Sequence, residues 1–310
     1  MRDDLEAAFR DLRPYAFAIA YRMLGSVAEA EDVTQEAFLR LGQAEQAEVR
    51  SVKSYLATVT TRLAIDVLRS ARVRRETYAG PWLPEPILDD DDAGAAVEAA
   101  DSLSLAFLVV LEALTPVERA VFLLHDVFDF GYGEIAGMLD RSEAACRQSA
   151  SRARRRVQEE KPRFATSREQ RDALAARFFA AAQGQDLAGL VDLLTADAVL
   201  YGDGGTKGNG LSRPVYGAQR VAAMLLAWFR QGARIGGSVV PALVNGQPGA
   251  RFLDPQGRLV NVLTVDIVDG RVQAVRSIIN PDKLAHLGAL SPYGLRSRQG
   301  GESLEWRADQ

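Results

Sequence analysis

The sequence predicts a multidomain protein with two all-α domains, the second containing a helix-turn-helix, followed by an α+β domain. Three observations support this fold class. Apolar residues recur at helical spacing through the first 163 residues. A basic helix follows a tight turn within Gly131–Val157. Beyond Gln170 the pattern changes to helices followed by long strands, and the hairpin signals Asn245-Gly246 and Asp269-Gly270 lie between strands.

Composition limits the classes of function. The chain has 310 residues, enough for two or three domains, and a formal net charge of −4. Its one cysteine, Cys146, excludes an internal disulfide, and with two histidines the sequence offers no zinc constellation. No apolar run is long enough to span a membrane, and the charged N-terminus is unlike a signal peptide. We therefore expect a cytoplasmic protein with no metal site, no cofactor and no membrane partner.

The helix-turn-helix is the strongest local signal for DNA binding. Ile135, Ala136 and Leu139 mark the apolar side of its first helix, and Ser142 can cap the second. The second helix directs one apolar stripe to a core, and its other side is polar. This polar face comprises Arg147, Gln148, Ser151, Arg152, Arg154 and Arg155. Arginine and glutamine read base edges in the major groove, and later arginines suit phosphates. The alternative is a helix hairpin with a solvated basic face.

Two helix faces in residues 1–75 are candidate binding surfaces. The first, on the helix that Ser26 caps, comprises Asp32, Gln35 and Glu36. It is either a solvated face or a docking face for a partner. The second, on the next helix, comprises Tyr55, Thr58, Arg62 and Arg69. An aromatic ring with hydroxyls and arginines on one face suits an unstacked nucleic-acid strand and its backbone.

Several stretches in the right order resemble an extracytoplasmic-function (ECF) sigma factor of bacterial RNA polymerase. They are YRMLGSVAEAEDVTQEAFLRL, AIDVLRSARVRR, and LTPVERAVFLLHDVF with the helix-turn-helix behind it. The resemblance covers residues 1 to about 163 and implies sigma region 2 at 1–75 and region 4 at 102–163. It implies that Asp32, Gln35 and Glu36 contact the clamp helices of the largest polymerase subunit. It also implies that residues 50–75 bind the −10 element and residues 147–155 the −35 element.

One residue departs from the usual turn of this family. Asp140 stands at a position often held by glycine. Because aspartate tolerates the left-handed conformation better than most residues, we expect the turn to form.

Residues 76–101 form the predicted linker, with the unusual motif Trp82-Leu83-Pro84-Glu85-Pro86. An indole is costly to leave in water, and the helices of both sigma domains already use their own apolar stripes. We therefore expect Trp82–Pro86 to dock on the C-terminal domain, where Lys207 or Lys283 could pair with Glu85. The acidic run Asp89–Asp92 is interpreted as a solvated spacer, with mimicry of RNA in the polymerase channel as the alternative.

Residues 167–290 have the element order of a SnoaL-like, or NTF2-like, cone. Two stretches resemble signatures of the ECF41, or SigJ-like, group of sigma factors, whose third signature is the linker motif. They are Asp203-Gly204-Gly205-Thr206-Lys207 and Asn280-Pro281-Asp282-Lys283-Leu284. Thr206 replaces a glycine of the group, which leaves open any need for a positive φ there. The resemblance implies that the cone modulates activity in cis. The tail, residues 291–310, is expected to be disordered.

An enzyme is the alternative reading of the cone. Asp203 beside Lys207 has the chemistry of a general base with a tuning cation, and Asp266 is a second candidate for an inward-facing carboxylate. In the opposing interpretation, Asp203 caps backbone N–H groups and Lys207 is a surface charge or docks against the linker. No second positioned acid or base is visible, so we predict no catalytic residue. The expected partners are core RNA polymerase and promoter DNA. An unidentified small ligand of the cone stays open, and the sequence shows no anti-sigma partner.

Overall fold

The computed structural model describes residues 2–44, 51–76, 78, 80–88, 103–160 and 167–294. It contains two compact units. The N-terminal unit comprises residues 1–77, 83–87 and 91–163, and the C-terminal unit comprises residues 78–82, 88–90 and 164–310. The predicted linker thus contributes residues to both units. The acidic run Asp89–Asp92 and residues 295–310 of the predicted tail lie outside the described residues.

The described part of the N-terminal unit is helical. Its helices are α1 (Arg2–Leu24), α2 (Val27–Gln43), α3 (Val52–Glu76), α4 (Leu105–Leu111), α5 (Pro116–Phe122), α6 (Tyr132–Leu139) and α7 (Glu143–Glu160). A π-helical turn, Leu123–Val127, lies between α5 and α6.

The two predicted sigma domains share one hydrophobic core. Met23 of α1 and Ile65 of α3 lie in the same buried cluster as Leu124, Ile135 of α6 and Cys146 of α7. The expectation that each domain uses its apolar stripes among its own helices is therefore wrong in part. Burying these stripes against each other removes apolar surface of both segments from water.

The helix-turn-helix forms as predicted. Asp140 ends α6 in the left-handed conformation, with φ 52° and ψ 56°. Ser142 caps α7, since its Oγ accepts a hydrogen bond from the N–H of Ala145 at 3.2 Å. The predicted stripe of α7 is buried. It comprises Cys146, Ala150, Ala153 and Val157.

The C-terminal unit is an α+β cone. Its helices are α8 (Arg168–Gln183), α9 (Leu187–Leu193), α10 (Ala218–Arg234) and the short α11 (Pro281–Leu284). Its strands are β1 (Leu194–Asp203), β2 (Val215–Tyr216), β3 (Ser238–Val244), β4 (Gln247–Leu253), β5 (Leu259–Val268) and β6 (Arg271–Ile278). They form one sheet in the order β2-β1-β6-β5-β4-β3, in which only β1 and β6 pair in parallel.

Successive side chains of β5 alternate between the two faces of the sheet. Leu263, Val265 and Ile267 pack in the buried cluster that contains residues of α8, α9 and α10. Asp266 is on the opposite face of the strand, because successive side chains point to opposite sides. Both predicted hairpin turns form, and the asparagine and aspartate that begin them have positive φ, 53° at Asn245 and 49° at Asp269.

The start of the predicted tail belongs to the cone. The N–H of Ser291 donates to the carbonyl of Leu259 at 2.8 Å, and the carbonyl of Gly294 accepts from the N–H of Asn209 at 3.0 Å. Ser291 is buried. The expectation of disorder from residue 291 onwards is therefore wrong for Ser291–Gly294.

Candidate functional site

The exposed face of α7 presents part of the predicted DNA-reading set. The exposed members are Arg147, Gln148, Ser151, Arg152 and Arg155. Arg147 forms an ion pair with Glu143, one turn earlier, and its guanidinium lies 4.8 Å from the ring centroid of Tyr132. These contacts hold Arg147 near the start of α7, the end at which a recognition helix reaches base edges, and Gln148 is exposed beside it.

Two predicted DNA-binding arginines are engaged within the N-terminal unit. Arg152 Nε donates to Glu118 Oε1 at 2.7 Å, and Arg154 Nε donates to Asp126 Oδ1 at 2.8 Å. Burial opposes ionisation of Glu118, but the hydrogen bonds from Arg152 and Thr115 outweigh it and hold the pKa of this carboxyl below its usual value. Arg152 and Arg154 therefore also attach α7 to the helices beneath it.

The α2 face carries the three polar residues expected to dock a partner. Asp32 and Gln35 are exposed, and Glu36 pairs with Arg40 at 2.8 Å along the helix. Leu39 lies on the same face with 53% of its surface exposed. Sequence reasoning missed Leu39, although its spacing of seven residues from Asp32 places it on this face.

The predicted nucleic-acid-binding residues of α3 differ in their hydrogen-bond and ion-pair partners. Tyr55 OH donates to the carbonyl of Arg40 at 3.4 Å, and Arg69 pairs with Asp66 at 3.2 Å. Arg62 is different, because its Nε donates to the carbonyl of Met138 in α6 at 2.6 Å. Thr58 donates to the backbone of its own helix.

The linker motif contributes Trp82 to the C-terminal unit and Leu83–Pro86 to the N-terminal unit. Glu85 accepts hydrogen bonds from Ser26 Oγ at 2.8 Å and from the N–H groups of Val27 at 2.7 Å and Ala28 at 3.3 Å. It therefore caps the N-terminus of α2, where a carboxylate is favoured by the helix dipole. Tyr21 OH donates to the Glu85 carbonyl at 2.6 Å. The expectation that Lys207 or Lys283 pairs with Glu85 is wrong, as is the docking of the whole motif on the cone.

Trp82 and Tyr78 contact the cone around Lys283. The ammonium of Lys283 donates to Asp203 Oδ2 at 2.7 Å and lies 4.3 Å from the Trp82 ring centroid and 4.9 Å from that of Tyr78. Tyr78 OH donates to Asp203 Oδ1 at 2.5 Å and accepts from Asn280 Nδ2 at 2.7 Å. We call these five residues the lysine latch. It joins the linker to both cone motifs.

Because its charged groups are buried, breaking the lysine latch costs much free energy. Asp203 is 0% exposed and Lys283 6%. Burial, together with the negative charge of Asp203, raises the pKa of the Tyr78 hydroxyl far above its usual range, so the proton stays on the tyrosine. A buried charge whose partner is removed is strongly destabilising.

Glycines allow the chain to approach closely around the latch. Gly205 has φ +55°, and a Cβ there would lie 2.6 Å from Asn280 Nδ2. Gly80 has φ +82°, and a Cβ there would lie 2.6 Å from the carbonyl oxygen of Leu211. Thr206 is exposed and is not among the positive-φ positions, so the replacement of the group's glycine is accommodated.

The carboxylates considered for catalysis have other partners. Asp203 pairs with Lys283, whereas Lys207 pairs with Asp282 at 2.7 Å on the surface. Asp266 forms a buried ion pair with Arg276, on the sheet face opposite the helices. These pairs do not support the alternative of a base at Asp203 tuned by Lys207, and Asp266 faces away from the helices. As the opposing interpretation expected, Asp203 does cap a backbone N–H, that of Gly205 at 3.1 Å.

A cavity of about 550 Å³ opens on the cone surface. It lies at the start of β1 and β6, whereas Asp203 ends β1 at the other end of the sheet. Apolar residues such as Val191 and Leu194 line it together with three charged residues, Asp192, Arg220 and Arg271. Among the described residues, no group of His, Cys, Asp or Glu could hold a metal. Within the same ranges no helix is long and apolar enough to cross a membrane.

Sequence reasoning missed Tyr78 as a latch residue. Tyr78, four residues before Trp82, is likewise an aromatic residue in a linker segment without a helix or strand of its own. That signal would have found it.

Comparisons with known proteins agree with this architecture. Residues 8–74 match Sigma-70 region 2, and residues 104–157 match Sigma-70, region 4. The chain is 39% identical to the ECF RNA polymerase sigma factor SigJ of Mycobacterium tuberculosis (strain ATCC 25618 / H37Rv) over 286 residues, 89% of this chain and 91% of the relative. It is 32% identical to a probable ECF RNA polymerase sigma factor, SigI, of the same species over 299 residues, 93% of this chain and 97% of the relative.

A solved structure extends the similarity to the cone. The crystal structure of Mycobacterium tuberculosis SigJ superposes with a TM-score of 0.73 at 35% identity and covers 90% of this chain and 98% of that one. The match therefore includes the C-terminal domain as well as the helical segments. The chain belongs to the ECF RNA polymerase sigma factors, in the SigJ-like group, and has a C-terminal α+β domain.

Proposed function

We propose that this sigma factor binds core RNA polymerase in the cytoplasm and directs it to promoters, and that its cone controls this activity in cis through the lysine latch. The single observation that carries the regulatory part is the ion pair between Lys283 and Asp203, closed over by the linker residues Trp82 and Tyr78. The linker connects regions 2 and 4, the two segments proposed to bind the promoter. A contact that holds the linker therefore restrains both regions.

The polymerase contact is assigned to α2. Asp32 and Gln35 are exposed at i and i+3, and Glu36 completes the face at i+4. The exposed Leu39 adds an apolar contact beside these polar groups. Apolar and polar groups together on one helix face suit a protein partner, since an interface has an apolar centre and a polar rim.

Promoter binding is assigned to α7 and α3. We assign base edges to the exposed Arg147 and Gln148 and phosphate to the exposed Arg155. On α3, Tyr55 and Arg69 present a ring and a cation to an unstacked strand. The −35 and −10 elements are the corresponding targets.

The linker is the route by which the cone acts. Trp82 is held by the lysine latch, while Glu85, three residues later, is held by the start of α2. A change in the latch therefore reaches the start of α2 through Leu83 and Pro84, a short segment with little conformational freedom. Control in cis follows from this short connection.

Transcription by reconstituted holoenzyme tests the proposal. Core polymerase with the full chain should produce transcripts from host genomic DNA that core polymerase alone does not produce. The full-length Lys283→Met variant should change their amount several-fold, whereas Lys207→Met, which breaks the exposed pair with Asp282, should not. Equal transcription by wild type and Lys283→Met would refute control through the latch.

Truncation provides a second test. Ending the chain before Asp203 should change transcription strongly, because the cone is then incomplete. Ending it after Gly294 should have little effect, because Ser291–Gly294 is the last described segment bonded to the cone. A cut after Leu290 should resemble the first variant more than the second.

A small-ligand sensor is the second candidate, and the cavity near Arg220 and Arg271 favours it. Its two arginines suit the anionic group of a ligand, and its apolar lining residues suit an apolar part. Mixing the full chain with a panel of carboxylate metabolites and measuring thermal unfolding tests this role. A ligand-induced rise in Tm that Arg271→Ala abolishes would support it, and turnover of such a metabolite would indicate an enzyme instead.

A further inference from the structure

Two arginines connect the region 2 and region 4 helices inside the N-terminal unit. Arg62 of α3 donates from Nε to the carbonyl of Met138 at 2.6 Å and from Nη2 to that of Gly137 at 3.4 Å. In the opposite direction, Arg119 of α5 donates to the carbonyl of Met23 at 2.7 Å. Each guanidinium thus binds the C-terminal end of a helix in the other segment, where carbonyls lack helical partners and the dipole is negative.

The two arginines differ in exposure. Arg119 is 3% exposed and also pairs with Glu112, so it stays compensated without Met23. Arg62 is exposed and lies on the α3 face proposed to bind the −10 strand, in line with Tyr55 and Arg69. While Arg62 holds α6, its Nε and Nη2 donors are engaged and are not free for a DNA strand.

The closed N-terminal unit is too small to reach both promoter elements. Elements centred 25 positions apart are separated by about 85 Å along B-DNA, at about 3.4 Å per base. A compact unit of about 150 residues has a radius of gyration of about 15 Å and is therefore about 40 Å across. Regions 2 and 4 must separate to bind −10 and −35 together. That separation takes α6 away from Arg62.

We propose that Arg62 exchanges partners on promoter binding: in the free protein it holds the end of α6 and adds to the closure that the shared buried cluster provides, and after opening it holds a phosphate of the −10 strand. The inference rests on the proposed function and deepens its regulation. A guanidinium binds a full phosphate charge more strongly than the partial charge of helix carbonyls, so the exchange favours the open, promoter-bound state. Because Arg62 is exposed, releasing it leaves no uncompensated buried charge.

Distances between spin labels on α3 and α7 report opening. The labels go at Ser70→Cys and Gln158→Cys, both exposed positions, in the full chain with Cys146→Ala. The free protein should give one short distance, and the holoenzyme on promoter DNA a distance longer by tens of ångströms. In the free Arg62→Gln variant the long-distance fraction should rise about three- to tenfold, as expected for losing one exposed charge-assisted hydrogen bond.

Arg69→Gln is the matched control. Arg69 lies on the same face but pairs within α3. This variant should therefore impair melting of the promoter DNA and leave the distance between the spin labels in the free protein unchanged. Arg62→Gln should impair promoter opening as well. A variant that both increases the long-distance fraction of the free protein and weakens promoter melting identifies a residue that acts in the free and in the promoter-bound protein.

Three results would overturn the exchange. They are an unchanged free distance in Arg62→Gln, promoter opening by Arg62→Gln equal to wild type, and a short distance retained in the promoter-bound holoenzyme. Failure of the proposed function has another signature: the unlabelled wild-type chain would then give no promoter-dependent transcript with core polymerase.

Discussion

The ammonium of Lys283 lies 2.7 Å from the carboxylate of Asp203, and the two residues are 80 positions apart in the chain. Asp203 ends β1, and Lys283 is in the short helix that follows β6, so the parallel pairing of these strands brings them together. The rings of Trp82 and Tyr78 then cover the ammonium. The two cone motifs and the linker thus form one cluster.

Replacing Lys283 by Met should destabilise the protein by about 3–5 kcal/mol, because Asp203 would be left buried without its cation. Lys207→Met is the control and should cost at most about 1 kcal/mol, since its pair with Asp282 is exposed. Urea unfolding followed by circular dichroism measures both. Equal losses in the two variants would contradict the assignment of Lys283 to the latch.

Trp82 emission should report the same cluster. The difference between wild-type and Trp82→Phe fluorescence isolates this indole from Trp228 and Trp306. We expect a blue-shifted difference spectrum in the native protein and a red shift in the Lys283→Met background. A difference spectrum typical of a fully water-exposed indole in the wild type would rule out the latch.

Alkaline pH should weaken the latch through Tyr78. Because the pKa of Tyr78 is higher in the folded than in the unfolded state, the folded protein binds the extra proton, and stability falls as pH rises above about 10. Tyr78→Phe should lower stability at neutral pH but show a smaller loss between pH 9 and 11 at roughly constant salt. The residual slope comes in part from Tyr15, whose pKa burial raises to about 12. Parallel pH profiles for wild type and Tyr78→Phe would be the contrary result.

Promoter selectivity should separate Arg147 from Arg155. Arg147→Ala should cost about 1–3 kcal/mol on the cognate −35 element and relax sequence preference, because a bidentate base contact is lost. Arg155→Ala should weaken binding to all sequences and reduce the salt slope by about 1. Holoenzyme binding to cognate and scrambled promoters at several salt concentrations measures both. Matched losses for Arg147→Ala on the two sequences would argue against base contact.

Charge reversal at Asp32 should abolish holoenzyme assembly without unfolding α2, since the side chain is exposed. The measurement is a pull-down with core polymerase, alongside a helical circular dichroism spectrum. Glu159→Lys, an exposed reversal at the end of α7, is the control and should leave assembly intact. Unchanged polymerase affinity in Asp32→Lys would sink the α2 assignment.

Glu85→Gln should reduce stability by about 1–2 kcal/mol, because the carboxylate caps α2 and the amide has no charge for the helix dipole. Glu159→Gln should change stability by less than about 0.5 kcal/mol. Thermal unfolding of the full chain compares the two. A loss no larger than that of the control would leave Glu85 without a capping role.

Local chemistry explains what could be predicted from the sequence. The cap at Ser142, the left-handed Asp140 and the turns at Asn245 and Asp269 each depend on a few neighbouring residues. Alternation along β5 likewise needs no distant information. The sequence also led to the three motifs that meet around Lys283, although the contact of the linker was assigned too broadly.

The rest depends on contacts between distant segments. Nothing near Glu85 indicates that its partner is the start of α2, 57 to 59 residues earlier. Arg62 has the composition of a nucleic-acid residue, and only the packing of α3 against α6 shows that a helix end occupies it. Spacing placed Asp203 beside Lys207, yet the strand order gives it Lys283. In all three cases the partner lies on a segment that only the folded chain brings close.

The hydrophobic core shared by the two sigma segments makes their unfolding cooperative. Ile65 and Ile135 lie in one buried cluster that both segments build, although region 2 also has a smaller cluster of its own around Phe38 and Leu56. Backbone amides of α3 and α7 should exchange with deuterium through a common opening event, at similar protection. Ile65→Ala, which removes core volume from region 2, should therefore accelerate amide exchange in the DNA-reading helix of region 4 as well.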